Sequence, residues 1–387
     1  MDNWRLPDQI DDVLPAEAER IESLRRALLD LFRVHGYQLV GPPLIEYVES
    51  LLTGSGRDLD LMTFKLVDQM SGRLLGVRAD ITPQAARIDA HILNRPGVTR
   101  LCYAGSVLHA MPAGAARRRE LIQVGAEIYG HAGIESDVEI QRLMLDALAC
   151  AGCGGLQLDL GHVAPFRALV ARGGVDPDRE LALSQALQGK DLPALREHVA
   201  PLGREIGDAL LALGELYGGV EVLAEACRRL PDLPEIRAAL RDLDEASRAI
   251  ADLPVRCSFD LGELRGYHYH TGIVFAAYGE GYPDAIGRGG RYDEIGRAFG
   301  RARPATGFSL DLRDIAAIVV VPAPAGILAP CADDSALRET IGALRRAGEI
   351  VIVDLPGHER THGERSADRE LRQVDGRWQV VPLAPPR

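Results

Sequence analysis

The stretch Gly105–Gly130, GSVLHAMPAGAARRRELIQVGAEIYG, decides how the rest of the chain is read. Its second half places a basic cluster, Arg117 to Arg119, ahead of a strand-like run. In that run Gln123 and Glu127 are an even number of residues apart and so face the same side. Two polar side chains on one face of an otherwise apolar strand describe a pocket wall. The first half carries His109 and, two residues on, Met111.

These residues resemble motif 2 of the class II aminoacyl-tRNA synthetases and are most similar to histidyl-tRNA synthetase, with which they align without a gap. Arg117, Arg119, Gln123, Gly125, Glu127 and Gly130 match that family. His109 stands where the synthetase has its ATP-binding arginine, and Met111 where it has a glutamate.

Further signatures follow in the family's order. GYQLVGPPLIEY, Gly36–Tyr47, resembles motif 1, a helix and strand that form the homodimer interface of the family. RADITPQAAR, Arg78–Arg87, resembles the signature that receives the amino acid's α-amino group, with Asp80 for glutamate and Thr82 matching. RGYHYHTGIVFAAY, Arg265–Tyr278, resembles the second histidine-specific signature; Arg265, Gly266 and Tyr269 match, His270 replaces a tyrosine, and Tyr267-His268 replace Leu-Asp. GRGGRYDEIGRAFGRARPATGFSLDLRDI, Gly287–Ile315, is similar to the glycine-rich strand and motif 3. There Asp314 occupies the place of the nucleotide-contacting arginine, and Arg313 comes one residue early, about 100° away on a helix.

A synthetase frame with altered nucleotide positions resembles the ATP phosphoribosyltransferase regulatory subunit family, the synthetase paralogues of histidine biosynthesis. The resemblance implies an α+β fold: a class II antiparallel sheet flanked by helices in a core over residues 1–320, with a helical insertion at about 165–253 and a small C-terminal α/β domain at 325–387 like a shortened anticodon-binding domain. It implies no catalysis by this chain, no cofactor and no metal. It further implies a short-form catalytic ATP phosphoribosyltransferase as partner, free histidine as effector, and self-association as a dimer. The implied histidine site is Asp80, Thr82 and Gln123 for the α-amino group, Arg265 for the carboxylate, and Glu127, Tyr269, His270 and Tyr292 at the imidazole end. The alternative is an active histidyl-tRNA synthetase or related adenylate-forming enzyme. Its adenylation step needs cations where charge develops on a phosphate, and Asp314 supplies the opposite sign.

Composition agrees with these expectations. The 387 residues are 47% hydrophobic, enough for a large domain and a small one. A formal charge of −12 argues against a broad nucleic-acid footprint and so against tRNA as partner. No apolar run reaches the ~18–20 residues of a membrane span. Six scattered cysteines behind an N-terminus without a secretory pattern indicate a cytoplasmic setting, with Cys150-x-x-Cys153 as buried thiols. His268-x-His270 lacks a third metal ligand. Locally, Ile21, Leu24, Leu28 and Leu31 predict a helix over 16–35, Tyr37–Val40 a strand, and Met70-Ser71-Gly72 the turn of a hairpin. Val321–Pro324 reads as a linker, and Asp375-Gly376 as a second hairpin turn.

Overall fold

Apolar residues three and four apart place one stripe of the first helix, Pro15–Val34, against the core. The stripe closes on Phe32 rather than the expected Leu31, because a step of four from Leu28 stays closer to its face than a step of three; Leu31 is only part-buried. Pro15 occupies the first turn and Gly36, at φ +85°, turns the chain out. The computed structural model describes residues 4–52, 57–111, 118–319, 325–357 and 367–383. Arg117 and the expected linker at Val321–Pro324 lie outside them. The chain divides into two compact units, Met1–Val320 and Val321–Arg387.

The first unit has strands β1 (Gln38–Leu39), β2 (Ile45–Tyr47), β3 (Phe64–Val67), β4 (Leu74–Val77), β5 (Thr99–Leu108) and β6 (Glu120–Tyr129). They continue as β7 (Gln157–His162), β8 (Tyr217–Gly218), β9 (Arg256–Asp260), β10 (Ile273–Tyr278), β11 (Ala285–Arg291) and β12 (Ala305–Asp311). Nine make one sheet in the order β1-β5-β6-β12-β11-β10-β7-β9-β8. From β5 to β7 every pairing is antiparallel, as expected, but β1 joins β5 and β9 joins β7 in parallel. The sheet is therefore mixed at its flanks: a helical insertion separates β7 from β9, and a connection of that length can return a strand parallel where a hairpin cannot.

Six helices fill the insertion, from Ala164–Gly173 to Pro234–Ala249. Pro165, Pro177, Pro193 and Pro234 each sit in a first turn, where the missing N–H would have had no partner anyway. The two-residue β8 inside it was not expected. The hairpin β3–β4 forms with the turn foreseen, Gly72 at φ +70°, and β2 completes a three-stranded sheet. Cys150 is exposed, contrary to the expected buried thiol, because it ends the helix Ile134–Cys150 on its solvent side; Cys153 is half-buried.

Two buried ion pairs tie the sheet to what surrounds it. Arg291, at the end of β11, donates to Asp137 at 2.6 and 3.0 Å, and also to Ser136 Oγ and the carbonyls of Gly133 and His131. Arg303 donates to both oxygens of Asp89 at 2.9 and 3.0 Å.

The second unit, taken by itself, is a four-stranded sheet of β13 (Gly326–Ala329), β14 (Val351–Val353), β15 (Ala367–Val374) and β16 (Arg377–Pro382), ordered β14-β13-β15-β16. The helix Ser335–Arg346 is capped by Asp334, whose side chain accepts from Ala336 N and Leu337 N and also from Trp378 Nε1 at 2.8 Å. Asp375 and Gly376, both at positive φ, make the two-residue turn expected between β15 and β16.

Arg291→Leu should cost about 3–5 kcal/mol in urea denaturation, because it leaves the Asp137 carboxylate buried without its cation. A double variant that also carries Asp137→Leu should recover much of that loss.

Candidate functional site

The antiparallel strands β6, β12, β11 and β10 form the floor of a chamber of about 410 Å³. Seven sequence-predicted residues border it: Asp80, Thr82, Glu127, Arg265, Tyr269, His270 and Tyr292. The eighth, Gln123, borders an adjoining chamber of about 620 Å³ that shares Leu59, Met62, Asp80, Arg288 and Ser309 with the first.

Glu127 lies at the inner end of the chamber wall, 1% exposed. Tyr103 Oη donates to its Oε1 at 2.9 Å and Tyr292 Oη to its Oε2. Burial pushes its carboxyl up to about 8; the hydroxyls of Tyr292 and Tyr103 pull the other way, and the charge of Asp80 adds to the rise. Thr82 Oγ1 lies 3.0 Å from Tyr103 Oη, so the chain of hydroxyls reaches the wall that carries Asp80 and Thr82. Tyr269 stacks on Tyr292 at 4.9 Å between centroids, and its own hydroxyl is buried without a partner among the described residues. A polar atom left so at a cavity wall is free for a ligand.

Space for this acid comes from glycine. A Cβ on Gly307, the β12 residue opposite Glu127, would fall on Glu127 Oε2 itself. On Gly290 it would lie 2.7 Å from His270 Nδ1, and on Gly289 it would collide with Phe275 and the Gly307 carbonyl. Strand glycines here mark close approach by a neighbouring group.

Asp80 and Gln123 are already joined: Gln123 Nε2 donates to Asp80 Oδ1 at 2.8 Å, while Gln123 Oε1 accepts from Ile81 N. Asp80 Oδ1 also accepts from Thr82 N at 3.0 Å. Gln123 thus orients the acid that faces the chamber. Arg265 stands half-exposed at the rim, its Nε 3.7 Å from Glu263. His270 Nδ1 lies 3.3 Å from the Arg291 carbonyl, and burial holds its ring down to about 4.

The second chamber carries the positions that depart from the synthetase pattern. His109 and Asp314 line it; Met111 is exposed and does not. Arg313 is turned away, 2% exposed, with Nε 3.6 Å from Glu17 of the first helix. Asp11, Asp80, Asp311 and Asp314 line the space with Arg118 and Arg288 as its cations. Arg288 is bonded to Asp284, and Arg118 comes within 4.0 Å of Asp314. Burial and the neighbouring Asp314 push the Asp311 carboxyl up to about 7.

Sequence reasoning missed Tyr103, which links Thr82 to Glu127. Its role depends on the cross-strand partner Gly125, where a Cβ would lie 2.6 Å from Tyr103 Oη, and no spacing in the sequence pairs the two.

Comparison with known proteins follows this geometry. The family described as "Histidyl-tRNA synthetase" matches residues 9–315, and the "ATP phosphoribosyltransferase subunit HisZ C-terminal domain" matches 324–381. The chain is 56% identical to a protein of Nitrosospira multiformis over 98% of both chains, and 58% identical to one of Ralstonia nicotianae over 99% of both. Each is named ATP phosphoribosyltransferase regulatory subunit. Among solved structures, an ATP phosphoribosyltransferase regulatory subunit/histidyl-tRNA synthetase of Bacillus halodurans superposes with a TM-score of 0.79 at 28% identity, over 91% of this chain and 92% of that one. A histidyl-tRNA synthetase of Nostoc superposes at 0.77 over 99% and 97% with 17% identity, a likeness of fold alone.

Glu127 gives a pH test independent of any ligand. Its folded pKa, about 8, exceeds the ordinary 4.5, so the native state holds a proton that the unfolded chain has lost, and stability falls as pH rises through that window. Melting curves of the chain and of Glu127→Gln should therefore diverge between about pH 4.5 and 8, the variant gaining relative to the parent.

Proposed function

The chain belongs to the family of ATP phosphoribosyltransferase regulatory subunits, and from that membership we propose that it is the non-catalytic partner of a short-form catalytic ATP phosphoribosyltransferase. In that role it is required for the first step of histidine biosynthesis, the condensation of ATP with phosphoribosyl pyrophosphate, and carries feedback inhibition by histidine. One observation supports the reading: a chamber bordered by Asp80, Thr82, Glu127, Tyr269 and Tyr292 adjoins a second in which Asp11, Asp80, Asp311 and Asp314 outnumber Arg118 and Arg288.

Adenylation would need cations in that second chamber. Losing two charge-assisted contacts at about 1.5–3 kcal/mol each costs roughly 10²–10⁴ in rate, and Asp314 adds repulsion. Histidine fits the first chamber with its ammonium at Asp80 and Thr82, its carboxylate at the guanidinium of Arg265, and its ring toward Glu127, Tyr269, His270 and Tyr292. Gln123 supports the ammonium subsite through Asp80. Exposed Leu39, Leu44 and Ile45 along the motif 1 region support a dimer built on that edge. We assign residues 1–320 to assembly and ligand sensing, and 325–387 to a separate small α/β domain. Six free thiols, and no helix among the described residues long and apolar enough to cross a membrane, fit a cytoplasmic protein. The acidic balance of −12 disfavours tRNA.

Mixing the chain with the short catalytic subunit should yield a heavy species in analytical ultracentrifugation, with phosphoribosyl transfer that histidine suppresses. Two independent peaks at micromolar concentrations would sink the proposal. Calorimetry on the chain alone should show histidine binding that weakens by roughly 1–3 kcal/mol in Glu127→Ala, which strands a buried donor. Histidine-dependent pyrophosphate exchange at a synthetase-like rate would restore the enzyme reading.

A further inference from the structure

Residues 261–272, between β9 and β10, form no helix or strand, yet they supply much of the first chamber. Six of the eight residues 263–270 border it: Glu263, Arg265, Gly266, His268, Tyr269 and His270. The other two, Leu264 and Tyr267, are buried and do not. An irregular run of this kind has no ladder to satisfy its carbonyls, so partners for them must come from elsewhere in the fold.

Much of that support comes from the helical insertion. Arg167, on the helix Ala164–Gly173, donates from the single nitrogen Nη2 to the carbonyls of Tyr267 at 2.8 Å and His270 at 2.6 Å. One nitrogen with two hydrogens thus fixes the spacing of both carbonyls, and the chamber residues Tyr269 and His270 are carried with them. The same guanidinium lies 5.0 Å over the Tyr267 ring. Gln188 Nε2, at the end of the helix Pro177–Gln188, donates to the Leu264 carbonyl at 2.8 Å. From that helix Glu180 accepts the Tyr267 hydroxyl at 2.6 Å, and Phe166 meets the Tyr267 ring edge-on at 5.0 Å between centroids. Burial, with Glu180 adding to it, pushes the Tyr267 hydroxyl up, so it stays the donor. On the sheet side the run is tied at its end only, where Thr271 N donates to the Arg291 carbonyl at 2.7 Å beside His270 Nδ1.

We propose that the helical insertion positions the ligand chamber: Arg167 and Glu180 hold the turn 263–270 and so set where Arg265, Tyr269 and His270 meet a ligand. The choice of histidine as that ligand rests on the reading above. Arg167, Glu180 and Tyr267 are positioning residues, since none of them borders the chamber and each acts through the backbone or ring of the turn.

Hydrogen exchange on the full chain, read by mass spectrometry, tests the hold on the turn without any ligand. In Tyr267→Phe, which keeps the ring and removes the hydroxyl, peptides covering 263–270 should exchange about three- to tenfold faster while those of β6 and β12 stay as in the parent. Unchanged exchange across 263–270 overturns the proposal. Calorimetry with histidine tests the consequence for the chamber. Glu180→Ala should weaken binding about three- to tenfold, and Glu180→Gln, which keeps an acceptor for the Tyr267 hydroxyl, should restore most of that loss. A Glu180→Ala chain that melts lower but binds histidine as the parent does would make the contact structural only and overturn the proposal. If the parent chain itself binds no histidine, the earlier reading fails, and exchange across 263–270 in Tyr267→Phe still decides whether the insertion holds the turn.

Discussion

A carboxyl group buried inside a β-sheet is expensive, and much of this domain's interior is arranged around one. Glu127 lies between β5 and β12 with almost no exposure, so it needs donors that come with it into the core. Tyr103 and Tyr292 supply them, and both are large. Large donors around a central acid require that neighbouring positions give up their side chains, hence Gly125, where a Cβ would meet the Tyr103 hydroxyl, and Gly307, where it would meet the Glu127 carboxyl. Tyr292 is held by stacking on Tyr269 and by the edge of Tyr129. The glycine-rich strand β11 makes room for other groups: Phe275 against Gly289 and His270 against Gly290.

The segment Arg78–Arg87 carries this arrangement outward. Arg78, buried, donates to the carbonyls of Pro42 and Ser106 at 2.8 Å each. Gln84 donates to Pro43 O and to Glu46, and Arg87 pairs with the same glutamate. Between those anchors, Asp80 and Thr82 face the chamber. One short stretch therefore grips both the ligand wall and the exposed motif 1 edge, whose carbonyls it satisfies.

How far this was legible from sequence depends on what kind of information each feature uses. Helix and hairpin positions rest on local periodicity and turn chemistry, so Pro15–Val34, β3–β4 and β15–β16 were readable to within a few residues. The clustering of Asp80, Thr82, Glu127, Arg265, Tyr269, His270 and Tyr292 was readable only through resemblance, since no spacing brings residues so far apart together. The resemblance gave Gln123 a place at the α-amino group, and its spacing put it on the same face of β6 as Glu127. What sequence could not say is that its amide is spent on Asp80 and Ile81. Tyr103 and the parallel flanks of the sheet were missed because each is set by a cross-strand partner. Cys150 was misread because one turn of helix decides whether a thiol meets core or solvent.

The two chambers could diverge in chemistry because they lean on different supports. The first is held by hydroxyls on Glu127 and by the Arg291–Asp137 pair behind β11, neither of which involves the end of β12. The second depends on that end: Asp311 caps the helix Leu312–Ile318 through Arg313 N and reaches Ile122 N, so it is structural as well as acidic. Arg313 is engaged with Glu17 in the core, where it is 2% exposed, and a swing into the chamber would leave that glutamate partner behind and open a void. Replacing a nucleotide-binding cation by Asp314 thus costs the fold little, because the position is on the chamber side of a helix whose opposite face does the packing. An acid there repels phosphate while leaving every hydrogen bond to Glu127, Asp80 and Thr82 untouched. Among the departures from the synthetase pattern that line the second chamber, Asp314 stands at a helix end, and His109 follows β5.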